Sequence, residues 1–463
     1  MKNISSFLRI TSLRAIPHSP SSLLYSSIHS FATSIFSVVI GLISSIVIAR
    51  AFGPTAKGSA DLIVATGTLL AMIFGLSLQS GIVYIVARGR AIINGLLVRL
   101  ASIALFQTLL ATVALVGLVR TTLVPALIPP ESERWGVIAV AILVLGTLLS
   151  GHYRSVLIGL QEIPRVNLIN LYGQIIVLMT ILFFIFTSWF QSQPLTAEVL
   201  VWVHVGGSIV IVLIFLWALR PWLTGSIRQE SGLSEVITYS LPSYLANMAQ
   251  FLNYRLDIFF VSYFVGVQGV GLYSLAVGIA QLIWLISGAT SQVLLPDVAA
   301  SADRVSAQQR TAYVARFSLW LSILLAGGLV VGGEMLLPLV FGSAFQESVP
   351  ALIWLLPGVT IFSVSNVIGS YLAGIGKPHL NFAVALVGLV VTIVLDFVLI
   401  PRLGIVGAAI ASSMSYLATT LAIIAIFAHE TRIPAGQVLL ISRDDLSLIS
   451  ATIRRVLGEQ RAT

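Results

Sequence analysis

The run NYRLDIFFVSYFVG sets Arg255 and Asp257 two positions apart inside an otherwise apolar segment. A guanidinium can take a phosphate or carboxylate through charge-assisted, bidentate hydrogen bonds. A carboxylate can take a sugar hydroxyl, a coupling ion or a neighbouring guanidinium. On a helix, residues two apart diverge by about 200°, so this pair is not a simple ion pair on one face. In threes and fours before Asp257 come Tyr254 and Asn253, then Gln250, Asn247, Ser243 and Ser240, all within one wedge of the helix surface. A charge near a bilayer centre costs about 2.5–3.5 kcal/mol on insertion scales and usually faces a polar cavity or a partner. The stripe is therefore expected to line a water-accessible cavity, with Arg255 directed elsewhere.

These residues need membrane helices to position them. The 463 residues are 57% hydrophobic and only 9% charged, with a mean hydropathy of +1.02, far from the roughly 25% charge of soluble domains. Apolar segments of about 20 residues recur throughout, each long enough to cross a hydrocarbon core of about 30 Å, and too continuously apolar for barrel strands. The expected class is an all-α polytopic membrane protein. Twelve spans are predicted, at 29–51, 59–87, 92–119, 135–159, 166–190, 196–219, 235–265, 270–296, 311–341, 348–374, 379–401 and 404–428. Before them, residues 1–28 carry Lys2, Arg9 and Arg14 with no acid and no sustained apolar core, which predicts a cytoplasmic amphipathic lead-in rather than a secretory signal. After them, 429–463 predicts a polar cytoplasmic tail.

An even number of crossings puts both termini on one side. Placing them in the cytoplasm leaves only Arg50, Lys57, Arg120, Arg134 and Arg402 outside, with Arg255 in the membrane and the remaining basic residues inside. The formal charge of +8 is thus spread singly over loops, which suits membrane orientation and not a nucleic-acid partner. The absence of cysteine excludes disulfides, thiolate metal sites and thiol catalysis, and no cofactor or metal is expected.

The chain also repeats itself. AFGPTAKGSADL aligns with FVGVQGVGLYSL, bringing Gly53 onto Gly266 and Gly58 onto Gly271, and VLIGLQEIPRVN aligns with YLAGIGKPHLNF, bringing Pro164 onto Pro378. Two six-helix lobes are expected, at 29–220 and 235–428, joined by a cytoplasmic linker at 221–234. Six spans per copy is even, so the lobes should share one orientation about a pseudo-two-fold axis along the membrane normal, with the substrate path between them.

IARAFGPTAKG, NYRLDIFFVSYFVGVQGVGLYSLAVGIAQ and GIGKPHLNFAVALVGLVVTIVLDFVLIPRLGIVGAAIASS, in this order over residues 29–428, resemble the Wzx-type polysaccharide flippases of the multidrug/oligosaccharidyl-lipid/polysaccharide exporter superfamily. The resemblance implies a two-lobed bundle in a bacterial inner membrane. Such a bundle would move undecaprenyl-pyrophosphate-linked oligosaccharide outward for O-antigen, capsule or exopolysaccharide, beside polymerase and chain-length proteins. The family's cavity charges include seventh-span residues, matched here by Arg255 and Asp257. At Asp396 the chain departs from the family, which more often has Asn before the Ile-Pro pair.

The candidate substrate contacts are Arg255, Asp257, Asn253, Gln250, Asn247, Arg50 and Arg154; none is catalytic. Each has a plainer reading. Arg255 could pair with a carboxylate across the lobe, Arg50 could snorkel to the outer interface, and Arg154 with His152 in SGHYRS could be an interfacial cluster. Asp61 could answer the positive end of its helix. His204 is expected to pack in a core, and Gly407, Ala408, Ala411, Ser412 and Ser415 to form a close-packing face. A membrane polymerase or ligase should show clustered acids or a long outer loop, and with 17 acids and no HExxH this chain shows neither. A cation-coupled drug exporter of the same superfamily usually has an acid in the first span. Residues 29–49 contain none.

Overall fold

The computed structural model describes residues 20–89, 93–121, 124–192, 194–223 and 233–440. The greater part of the expected lead-in, linker and tail lies outside the described residues. Within them the chain is helical almost throughout. The helices are α1 (Pro20–Gly75), α2 (Leu78–Ala87), α3 (Ile93–Val119), the short α4 (Val124–Leu127), α5 (Glu133–Gly159), α6 (Ile163–Gln191) and α7 (Ala197–Leu219). The second half of the chain adds α8 (Leu233–Phe264), α9 (Val267–Gln281), α10 (Trp284–Ala300), α11 (Arg304–Phe341), α12 (Ser348–Gly374), α13 (Pro378–Leu403), α14 (Ile405–Thr431) and the short α15 (Ala435–Leu439).

Nine described helices are long and apolar enough to cross a membrane, and a tenth span arises if the bent pair α9–α10 is one crossing. Their ends follow local chemistry. Asp303 caps α11 by accepting from the amides of Val305 and Ser306, and Thr196 caps α7 by accepting from Val199. Pro164 and Pro378 occupy the first turns of α6 and α13, where a missing amide proton is harmless.

Three expected boundaries are corrected. The predicted break at 52–58 shrinks to Gly53 alone (φ 73°, ψ 178°), so Lys57 lies in a helix and not in an outer loop. Gly266 breaks the chain in nearly the same conformation (φ 96°, ψ 177°). The second predicted span is divided at Leu76 and Ser77, both in the left-handed region, and the eighth bends by 48° between α9 and α10. Apolar residues continue across both sites, so hydropathy registers no change of direction there.

Four apolar cores hold the bundle. Two belong to the first half, around Ile63, Val144 and Leu200 and around Ile85, Val156 and Phe215. Two belong to the second, around Tyr273, Leu355 and Phe345 and around Val364, Ile368 and Phe427. They are not sealed from each other, because Ala49 and Leu62 enter the Tyr273 core and Val236 enters the Ile85 core. Large apolar side chains such as Phe106, Phe186, Trp189 and Val331 stay exposed on the outside of the bundle. A lipid-facing surface has this character, and a soluble one would aggregate.

Candidate functional site

The polar stripe of α8 lies along its whole length, and the structure divides it into two sites. The face where α1 begins is here the near face, and the face reached at Gly53 the far face. Toward the near face, α8 is bonded to the first half: the Gly81 amide donates to Ser240 Oγ (3.1 Å), Tyr244 Oη to the Ile73 carbonyl (2.7 Å) and Asn247 Nδ2 to Ser77 Oγ (3.3 Å). Toward the far face, Ser262 Oγ donates to the Pro125 carbonyl at 2.5 Å. At about 100° per residue, Ser240, Tyr244, Asn247, Arg255 and Ser262 fall within one arc of about 80°. Arg255 is exposed, and it makes no hydrogen bond or ion pair with another described residue. It therefore points into the gap between the halves, at a level where contacts above and below have closed around it.

Gln250, Asn253 and Asp257 turn away from that arc, into the second half. Asn253 is 4% exposed, and its Oδ1 accepts from Ser415 (3.0 Å) and Thr392 (3.3 Å). Asp257 is 3% exposed and accepts from Tyr273 Oη (2.5 Å), Ser412 Oγ (3.2 Å) and the Ile258 amide (2.8 Å). Three donors thus converge on one carboxyl group. Beside it Asp396 of α13 is 0% exposed, within electrostatic reach of Asp257, and neither of its oxygens has a hydrogen-bond partner. Gln250 and Asn253 line a cavity of about 290 Å³ with Ser365, Asn366, Asn381 and Thr419. Its polar lining is amides and hydroxyls, set beside Leu295, Phe362, Val384 and Ile423, with no charged residue. Tyr254 leaves the stripe for an aromatic cluster, 5.4 Å from Trp284, with Phe362 and Tyr416 4.9 Å apart beside it.

The single continuous cavity face expected of the stripe is thus corrected, because Asn253 and Asp257 find partners on α9, α13 and α14 that no spacing on α8 could reveal. Cysteines at Gln250 and Arg255 are expected to react readily with a small water-soluble thiol reagent, and one at Asn253 at least about tenfold more slowly. Equal rates at all three would return the stripe to one open face.

Arg50 does not snorkel. Its guanidinium donates to the carbonyls of Leu339 and, at 2.8 Å, Val340, in the last turn of α11. The carbonyls of a helix end lack intrahelical partners and attract a cation. Arg154 is exposed on α5 while His152, two residues before it, is fully buried, so the expected cluster is not formed. His204 bonds the Leu200 carbonyl of its own helix (2.8 Å). The small-residue face of α14 is buried as expected, but Ser412 and Ser415 serve Asp257 and Asn253 as well as packing. Lys57 was not singled out by spacing, and it is 7% exposed and bonded to Asp61 and Ser274. An i,i+4 Lys–Asp pair in AKGSAD is the signal that marks it.

Comparison with known proteins places these features. Residues 167–350 match the family described as polysaccharide biosynthesis protein. The probable low-salt glycan biosynthesis flippase Agl15 of Haloferax volcanii is 26% identical over 234 residues, covering 50% of this chain and 49% of that protein. The chain spans about half the length of the curated relatives it matches. Among solved structures, the lipid II flippase MurJ in an inward closed conformation superposes with a TM-score of 0.73 at 15% identity, covering 92% of each chain. An inward-facing multidrug resistance MATE family transporter superposes at 0.69 with 13% identity, covering 88% of this chain and 98% of the other. The chain shares the fold of these two solved transporters and, over parts of its length, is similar to polysaccharide biosynthesis proteins and to a probable glycan flippase.

Proposed function

We propose that this protein flips an undecaprenyl-pyrophosphate-linked oligosaccharide across a bacterial inner membrane by alternating access, for assembly of a surface polysaccharide. The observation that carries the reading is Arg255, an exposed cation with no hydrogen bond to a described residue, on the arc of α8 that touches the first half on either side of it. A pyrophosphate is an anion that a guanidinium binds bidentately. The lipid tail would stay in the bilayer while the head group crosses. No bond is made or broken, so the step is transport and not catalysis.

The architecture proposed for this has twelve crossings: α1 counts twice across Gly53, α8 counts despite Glu235, Arg255 and Asp257, and α2 and α10 complete the crossings begun before them. Two lobes at 29–220 and 235–428 are supported by the order of elements, since each helix of the second half lies about 213 residues after its counterpart. The short 3-10 turn Ser343–Phe345 after α11 likewise answers Pro130–Ser132 after α4. Both termini are placed in the cytoplasm by the basic residues. Polymerase and chain-length proteins are the proposed protein partners.

Cells depleted of the protein are expected to accumulate the lipid-linked sugar on the inner leaflet, out of reach of an external glycosidase. Unchanged accessibility, together with altered efflux of a cationic dye, would transfer the chain to the drug exporters.

A further inference from the structure

The far-face seam between the halves has a construction that the near face lacks. Gly58 of α1 and Gly271 of α9 cross with no room for a side chain: a Cβ on Gly58 would lie 1.8 Å from the Val267 carbonyl, and one on Gly271 would lie 1.9 Å from the Pro54 carbonyl. These two clashes are copies of each other, because Gly58 and Gly271, and Pro54 and Val267, are repeat mates. The pseudo-two-fold axis therefore passes through this crossing. One turn farther along, Ser274 Oγ donates to Asp61, its own repeat mate 213 residues away, and Lys57 Nζ donates to both, reaching Ser274 at 2.7 Å.

The flanks repeat in the same way. Arg50, near the end of the first part of α1, donates to the carbonyls of Leu339 and Val340 at the end of α11. Ser262, near the end of α8, donates to Pro125 in α4, which follows α3 as the last turns of α11 follow its body. Each half thus reaches from its first span to the end of the third span in the other half. At the near face the cross-seam bonds named above join only neutral groups, and the tight approach there is one glycine, Gly81, against Val236 and Ser240. Hydrogen bonds to charged groups are stronger than neutral ones, and the far seam is held by such bonds at Arg50, Lys57 and Asp61.

We propose that this crossing is a latch that holds the resting protein closed at the far face. Gly58 and Gly271 are the pivot. The Lys57–Asp61–Ser274 triad is the catch, with Arg50 and Ser262 as lateral braces. Ser274 is the one triad member from the second half, so its hydroxyl carries the cross-seam part of the catch, whereas Lys57 and Asp61 remain paired within α1 when the halves part. The latch rests on the transport reading, since a chain that does not alternate has no need to open there.

The chain has no cysteine of its own, so a single introduced thiol reports on the seam alone. Ala49 of α1 is buried in the second half's core beside Arg50, and Ala49→Cys sits where opening would admit water. The probe is a small charged thiol reagent applied to membrane vesicles of both orientations. Labelling is expected to be slow in the otherwise unchanged chain and about tenfold faster with Ser274→Ala, the effect of one charge-assisted hydrogen bond. Gly271→Ala, which wedges a methyl against Pro54, is expected to speed it at least as much. If Gly271→Ala fails to accumulate, Ser274→Ala decides alone. Unchanged labelling with Ser274→Ala at normal abundance overturns the latch. Movement of lipid-linked sugar is read in the same cells: faster labelling in a chain that never moves the sugar would leave the latch standing and remove the substrate reading, while normal movement with unchanged labelling would do the reverse.

Discussion

Arg255→Ala is expected to reduce outer-leaflet accumulation of the lipid-linked sugar by about 30- to 150-fold, with normal abundance of the protein in the membrane. The loss is that of a charge-assisted, bidentate contact, about 2–3 kcal/mol. Arg255→Lys keeps the charge but loses the planar fork, and should retain part of the activity. The prediction of normal abundance follows from the geometry. Arg255 is exposed and hydrogen-bonded to no described neighbour, so its removal breaks no buried hydrogen bond, and Asp257, which feels its charge, keeps its three hydrogen-bond donors. A structural arginine would behave oppositely, because breaking a buried pair costs about 3–5 kcal/mol and would deplete the folded protein. Quantitative membrane blotting and the leaflet assay on the same cells separate the two. Normal abundance with normal flipping would take Arg255 out of the site.

The second large effect is expected at the buried acids, with opposite signs for neighbours. Asp257 holds the hydroxyls of Tyr273 and Ser412, and Asp257→Ala leaves these two only each other, 3.0 Å apart, so that one of them loses its acceptor at a cost of about 1–3 kcal/mol. Asp396 holds nothing. Burying a carboxylate with no partner is costly, and Asp396→Leu is expected to raise the melting temperature of the purified protein. A buried carboxyl without a partner burdens the fold, and Asp396→Leu is also expected to slow flipping at least about tenfold if this group serves the transport cycle. A stabilised variant that flips at the normal rate would make Asp396 a packing position. A destabilised one would mean that the carboxylate has a partner in the membrane.

How much of this was legible in the sequence follows from what each pattern can encode. Span lengths and the repeat of Gly53 on Gly266 and Pro164 on Pro378 predicted the helical halves, because the length of an apolar run and the backbone freedom of glycine are local properties. Spacing on α8 also put Arg255 on a different face from Gln250, Asn253 and Asp257, since helix periodicity alone decides that. The site residues missed have one cause. Composition places Lys57 in an outer loop, because a charge beside Gly-Pro marks a span boundary, whereas only Gly53 departs from helical geometry and Lys57 lies one turn into the next helix. Its buried charge is tolerated because Asp61 and Ser274 surround it, and Ser274 is far away in the chain.

The sequence by itself determined that the chain is a bundle of membrane helices, and that its seventh predicted span carries charge where lipid would not tolerate it. Only the tertiary structure decided what each polar face meets. The partners of Asn253 and Asp257 come from α9, α13 and α14, and those of Arg50 from the end of α11. A hydrogen bond between helices depends on where two independent faces come together, and periodicity along one helix contains no information about the rotation or height of its neighbour.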